Sequence, residues 1–208
     1  MTDPKALQKL SYGLFIVTAN AFGKDNGCIT NTVMQVTGQP NRVCLTVSKQ
    51  NYTHDMLMEH GVFTASVISE KADFELFRRF GFQSGRDTDK FAGFQAVTRT
   101  ENGTLAVTQG TNAFISGRTF HSIDLGTHTM FLADVTEMQV LTTDPSATYA
   151  YYHAQIKPKP DAVGTTPDGQ TIWRCTICGY EYVGEELPED FICPLCKHPA
   201  SDFEKVVR

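Results

Sequence analysis

The sequence predicts a mainly β protein, a barrel with short helices followed by a small metal-binding module. Three observations carry this. Short β-branched and apolar runs separated by turn residues recur through residues 1–155, a pattern of barrels rather than doubly wound sheets. The Gly-x-Gly-x-x-Gly fingerprint of a dinucleotide-binding βαβ unit is missing. Four of the six cysteines form two Cys-x-x-Cys pairs within the last 36 residues.

The elements follow in order. Gly13–Ala19 reads as a strand, with a turn at Gly23–Gly27 and a second strand from Cys28 to Thr37 that ends at Gly38-Gln-Pro40. Arg42 to Val47 places Val43, Leu45 and Val47 on one face, the mark of a half-buried strand. Thr53 to Glu59 is a helix with Asn51 or Thr53 as N-cap and Gly61 as its stop. Val62–Ile68 is a strand, and a helix opened by Ser69 or Asp73 runs to about Phe80. Ala113–Arg118 and Thr129–Leu141 supply further strands. Cys28 and Cys44 stand alone in apolar stretches and read as small buried hydrophobes.

Composition narrows the function. With 41% hydrophobic and 20% charged residues the chain is an ordinary globular protein, not a disordered one. Lys and Arg total 18 against 23 Asp and Glu, and no long basic tract exists, so nucleic acid is not expected as a partner. The apolar run Leu14–Val17 is too short for a signal segment, and no stretch reaches the ~18 residues of a membrane span. The expectation is a cytoplasmic protein with no membrane partner, in which clustered cysteines bind metal rather than form disulfides.

Residues 156–171 hold three Pro and two Gly and almost no apolar mass, so they read as a linker. Sixteen such residues reach about 20–24 Å as a flexible coil and about 50 Å when extended, enough to let residues 172–208 move as a separate domain. That domain is too small for burial alone to stabilise. Cys175, Cys178, Cys193 and Cys196, with 14 residues between the pairs, offer four thiolates to one tetrahedral ion, a set that suits zinc and iron alike. The segment carries seven acidic and four basic residues, a face suited to solubility or to docking on a basic partner.

Trp173-Arg-Cys-Thr-Ile-Cys-Gly-Tyr-Glu-Tyr182, Leu187-Pro-Glu-Asp-Phe-Ile-Cys-Pro-Leu-Cys196 and Ser201-Asp-Phe-Glu-Lys-Val206 together resemble rubredoxin, down to the aromatic set Tyr180, Tyr182, Phe191 and Phe203. The loop between the cysteine pairs is shorter than in free-standing rubredoxins and closer to the rubredoxin-like domains of fusion proteins. The resemblance implies one iron, held by the four cysteines and carrying single electrons.

Upstream, Ser48-Lys-Gln-Asn-Tyr-Thr53 joins a strand to a helix, so that hydroxyls, an ammonium and a helix N-terminus converge on a seat for phosphate. Together with Asn26–Thr37, Ser84–Phe91 and Asp124–Met130 it resembles the flavin reductase family of FMN-binding split barrels across residues 5–153. By that resemblance Thr30, Asn31, Thr32 and Gln35 line the flavin ring and its ribityl chain. Ser48, Lys49, Asn51 and Thr53 hold the phosphate, Lys90 assists, and His128 stands near the flavin and the nicotinamide site.

A flavin reductase barrel fused to a rubredoxin resembles the large rubredoxins of anaerobic bacteria. That arrangement implies electron flow from NAD(P)H, NADH favoured, through FMN to the Fe(Cys)₄ centre and on to a flavodiiron protein that reduces oxygen or nitric oxide. Flavin is the physical converter here, because nicotinamide gives a hydride and the iron takes one electron. A homodimer follows from the same resemblance. Two alternatives stay open: a reductase that releases reduced flavin to a monooxygenase, and a flavin-binding protein with a structural zinc ribbon.

Overall fold

A computed structural model describes residues 4–158, 171–194 and 198–206. Most of the segment read as a linker, and Cys196, the fourth of the expected ligands, lie outside the described residues. The chain divides into two compact units, Met1–Ile156 and Lys157–Arg208.

The first unit holds strands β1 (Phe15–Ala21), β2 (Lys24–Thr30), β3 (Val33–Gly38), β4 (Asn41–Ser48), β5 (Val62–Ile68), β6 (Val97–Arg99), β7 (Leu105–Val107), β8 (Thr111–Asp124) and β9 (His128–Val140). Helix α1 (Tyr52–His60) follows β4, and α2 (Phe74–Gly81) follows β5. Seven strands form one antiparallel sheet in the order β2-β1-β5-β8-β9-β4-β3. Its two outer strands, β2 and β3, are consecutive in the chain with only Asn31 and Thr32 between them. The sheet must therefore curl until its edges meet. Among the described residues no ladder joins β2 to β3, so the barrel is split at that seam.

Side-chain alternation sorts the core into two layers. Val17, Ala19, Leu45, Val47, Phe63, Ala65 and Phe131 point into the barrel, where Met56 and Leu57 of α1 plug it. Leu14, Ile16 and Ile68 face the other way and pack under Leu76, Phe77 and Phe80 of α2. Strands β1 and β5 are thus covered on both faces, which is why they read as nearly continuous apolar runs. Ile156, where the sequence reading begins the linker, ends the helical turn Tyr152–Ile156 and packs against this second layer.

Local chemistry sets most boundaries. Asn51 is the N-cap of α1, and Gly61, at φ 64°, ends it by donating its N–H to the Leu57 carbonyl. Thr53 is the second residue of the helix rather than its cap. Asp73, not Ser69, caps α2 by accepting from the Leu76 N–H. The turn expected at Gly23–Gly27 is a two-residue hairpin at Phe22 and Gly23, with φ 56° and 72°. Both residues are left-handed, as a hairpin matching strand twist requires, and Lys24 to Gly27 continue into β2. The single strand expected over Cys28–Thr37 is broken at the seam, and β8 runs six residues past the expected Arg118 to Asp124.

The second unit is a three-stranded sheet, β11-β10-β12, built from β10 (Ile172–Cys175), β11 (Glu181–Val183) and β12 (Phe203–Val206). Phe191 packs beside Tyr182 (4.8 Å between centroids) and meets Phe203 edge-on at 5.4 Å, forming a small aromatic core.

Candidate functional site

At the seam a cleft of about 350 Å³ opens, lined by Thr30, Asn31 and Thr32, by Thr46 and Ser48 of β4, and by Asn51 and His128. The seam is held open by hydroxyls. Thr30 Oγ1 and Thr32 Oγ1 lie 2.8 Å apart, and both donate to the Thr46 carbonyl at 3.0 Å. The Thr46 N–H returns a bond to the Thr32 carbonyl, tying the start of β3 to β4. Ile29, Leu14 and Tyr149 supply apolar wall.

One end of the cleft suits an anion. Ser48 ends β4 and Asn51 precedes α1, with the Asn51 N–H bonded to the Ser48 carbonyl. The His54 N–H bonds the Asn51 carbonyl, but the Asn51 side chain makes no capping bond, so the Tyr52 and Thr53 N–H groups of the first turn are left for a ligand oxygen beside the Ser48 hydroxyl. Lys49 is held nearby: its N–H donates to the Thr127 carbonyl and its ammonium pairs with Asp124 at 2.7 Å. The hydrogen bond from Lys49 keeps the Asp124 carboxyl below its ordinary value. These bonds tie the 48–51 loop to the β8–β9 hairpin that carries His128. His128 pairs with Ser48 across the β4–β9 ladder, and its Nδ1 meets Thr127 Oγ1 at 2.9 Å. The chemistry of this donor set, hydroxyls and helix N–H groups over an apolar wall, fits a phosphate-bearing flavin.

Six of the residues singled out in the sequence therefore converge: Thr30, Asn31, Thr32, Ser48, Asn51 and His128. Four do not line the cleft. Lys49 sits at its margin on Asp124. Gln35 is exposed on β3, donating to the Thr37 carbonyl. Thr53 is fully buried, accepting from Asn26 Nδ2 at 3.0 Å. Lys90 is the clear correction. Its ammonium turns inward to the Gly27 and Phe80 carbonyls (2.7 and 3.0 Å), and it does not line the cleft. Burial pulls it down to about 8, with Cys28 acting in the opposite direction. Burial likewise pushes the Cys28 thiol up.

Leu14, Ile29, Thr46 and Tyr149 were not found from sequence. Thr46 carried a signal, since it shares a strand face with Ser48 two residues on. Tyr149 carried none, because it reaches the cleft through a bond of its N–H to the Tyr12 carbonyl.

In the second unit the Sγ atoms of Cys175, Cys178 and Cys193 lie within 4.8 Å of one another, all buried. The Cys178 and Cys193 sulfurs are 3.4 Å apart. Tetrahedral thiolates at ~2.3 Å from one ion stand about 3.8 Å from each other, so the cluster fits an S₄ centre. Gly179, at φ 81°, turns the chain after the first pair and donates to the Cys175 carbonyl, while the Cys193 N–H bonds the His198 carbonyl.

A split barrel with an anion-seating cleft, followed by a thiolate cluster, defines a two-module protein with one site of each kind. Residues 7–159 match the flavin reductase like domain, and residues 173–204 match the rubrerythrin, rubredoxin-like domain. The chain belongs to the flavin reductase-like family, in the form that carries a C-terminal rubredoxin-like module. It is 35% identical to the high molecular weight rubredoxin of Moorella thermoacetica, covering 98% of this chain and 100% of that protein. It is 36% identical to the ferric-chelate reductase (NAD(P)H) of Archaeoglobus fulgidus, over 82% of this chain and 97% of the relative. Among solved structures, the fold resembles the Streptomyces globisporus C-1027 NADH:FAD oxidoreductase SgcE6 (TM-score 0.61, 20% identity, 71% of this chain and 91% of that one). It also resembles an FMN-binding protein from Thermus thermophilus (TM-score 0.61, 19% identity, 72% and 87%).

Proposed function

We propose that this oxidoreductase takes electrons from NAD(P)H, NADH in preference, through FMN in the seam cleft to an iron held by Cys175, Cys178, Cys193 and Cys196. From there they pass to a protein acceptor such as a flavodiiron oxygen or nitric oxide reductase. The observation that carries the reading is the presence of both sites in one chain, a cleft suited to a flavin and a thiolate cluster suited to a one-electron metal. A bound flavin takes two electrons as hydride and gives them up singly, which matches a two-electron donor to a one-electron carrier.

The residues divide the work. Ser48 and the first turn of α1 seat the phosphate, and the hydroxyls at the seam orient the polar side of the ring system. Ile29, Leu14 and Tyr149 keep water from its apolar face. His128, exposed at the cleft margin, orients the incoming nicotinamide. The open side of the barrel presents Met34 and Val36 on edge strand β3, 60% and 43% exposed, apolar area that a second copy of the chain would cover. On this reading the working form is a homodimer, and its place is the cytoplasm. No helix among the described residues is long and apolar enough to cross a membrane.

Stopped-flow mixing of the purified chain with NADH tests the path. Bleaching of the flavin band should precede loss of the red iron–thiolate colour, with the iron reduced faster than added free flavin achieves. A colourless zinc-loaded protein, or release of reduced flavin before any change at the metal, would replace this reading with one of the two alternatives.

A further inference from the structure

The turn at residues 84–88 lies over the first turn of α1, immediately past the phosphate end of the cleft. Ser84 shapes it, accepting from the Asp87 and Thr88 N–H groups at its carbonyl and from the Arg86 N–H at its hydroxyl. Three further contacts fasten it. Lys24 Nζ donates to the Gly85 carbonyl at 2.8 Å. Gly85 sits so close to Asn26 that a Cβ there would stand 2.1 Å from Asn26 Oδ1. Arg86 Nη2 donates to Asp55 Oδ2 at 2.6 Å.

The result is a plug over Tyr52, the residue that follows cleft-lining Asn51. The Arg86 guanidinium carbon is 5.1 Å from the Tyr52 ring centroid, and Lys24 Nζ is 5.6 Å from it. Neither Tyr52, Asp55, Arg86 nor Lys24 lines the cleft, which stops at Asn51. At about 350 Å³ the cleft is also near the small end of the ~300–1,000 Å³ range of ligand sites.

We propose that the Arg86–Asp55 pair, laid across Tyr52, closes the phosphate end of the cleft and makes the chain select a flavin mononucleotide over a dinucleotide. This rests on the reading of the cleft as a flavin site with the phosphate at α1. A dinucleotide must continue past that phosphate into a second one and an adenosine. To do so it has to lift Arg86 off the Tyr52 ring and part it from Asp55. The carboxylate left behind would then face the second phosphate, like charge to like. A mononucleotide ends before any of these groups.

The size of the effect follows from how exposed the plug is. Arg86 and Asp55 side chains are 47% and 38% accessible, so the pair itself is weak and the cation–π contact adds a comparable amount. Together they support selectivity of about tenfold, equivalent to about 1.4 kcal/mol.

The test is titration of FMN and of FAD into the flavin-stripped full-length chain, followed by quenching of flavin fluorescence. Unmodified protein should bind FMN about tenfold or more tightly than FAD. Arg86→Ala should bring the two affinities together by raising that for FAD, with FMN affinity changed less than about threefold. Asp55→Asn, which is isosteric, should act in the same direction if Arg86→Ala fails to fold. An unchanged FMN:FAD ratio in the folded variants overturns the proposal. So does a large, equal loss of both flavins in Arg86→Ala, which would make Arg86 a ligand of the shared phosphate. If neither flavin binds the unmodified chain, the flavin reading of the cleft fails and selectivity fails with it.

Discussion

Replacing Lys90 by Met should make the stability of the barrel lose a pH dependence that the native chain has. Lys90 is 4% exposed, its ammonium bonded to the carbonyl of Phe80, which packs against Phe91 and Phe94. Burial lowers it from 10.5 to about 8. Its two acceptors, the Gly27 and Phe80 carbonyls, match the two N–H bonds of a neutral amine, so losing the proton need not cost a hydrogen bond. Below pH 8 the group is protonated in the folded and unfolded chain alike, and the folded state bears the full cost of a buried charge. Between about 8 and 10.5 the unfolded chain binds more protons, so stability from this residue rises with pH. One pH unit above 8 is worth about 1.4 kcal/mol, and the whole window about 3 kcal/mol. Cys28 and Cys44, both raised by burial, act oppositely above pH 9, because their unfolded thiols ionise first. The comparison with Lys90→Met cancels the Cys44 share, and confining it to pH 7–9 limits that of Cys28, which is coupled to Lys90. Between pH 7 and 9 the native chain should gain about 1.4 kcal/mol on the variant, or about 3–6 °C in melting temperature. Circular dichroism of the intact protein is the right assay, since its one tryptophan, Trp173, reports the other unit. A difference that stays flat or shrinks with rising pH would refute the buried-charge account.

Other perturbations separate the parts. Cys193→Ser removes a fully buried thiol of the cluster and should abolish the iron–thiolate spectrum, while flavin binding to the barrel stays within about twofold in fluorescence titration. Gly85→Ala should push Asn26 aside and break its bond to Thr53, lowering barrel stability by about 1–3 kcal/mol in thermal melts. Phe22→Asn should do the reverse. Phe22 is 60% exposed at φ 56°, so little burial is lost, and about 0.5–1 kcal/mol of left-handed strain is relieved, measured as a higher midpoint in urea.

What was legible in the sequence was what local chemistry decides. Asn51 and Gly61 bracket α1 because a cap and a left-handed stop act within a few residues. Val62–Ile68 matches β5 because an apolar run of that length, bounded by Gly61, has few alternatives. The misreadings come from residues whose partners are distant in the chain. Asp25, Asn26 and Gly27 have turn chemistry, yet they stay in β2 because Asp25 meets Arg99 and Asn26 meets Thr53. Lys90 looked available for phosphate because a lysine among polar residues is ordinarily solvated, and only the packed fold shows it enclosed. The cysteine pairs were readable for the opposite reason, since ligand spacing alone specifies that Cys175, Cys178 and Cys193 meet.

The place of the cleft follows from a pairing that the chain declines to make. Two strands separated by two residues ordinarily form a hairpin, as β1 and β2 do across Phe22 and Gly23. β2 and β3 have the same spacing, but neither Asn31 nor Thr32 is left-handed, so the turn that would fold one strand onto the other is missing. Instead Thr30 and Thr32 both give their hydroxyls to the Thr46 carbonyl, which draws the chain across to β4. The sheet closes through that third strand and leaves a slot where the β2–β3 ladder would lie. The hydroxyls that face the slot can still accept from a planar, polar-edged ligand, and the helix start at Asn51 lies at its end, suited to an anion. Filling the barrel with a closed ladder would use up the same groups. The opening in the sheet and the candidate site are one feature, produced by three threonines and two missing left-handed residues.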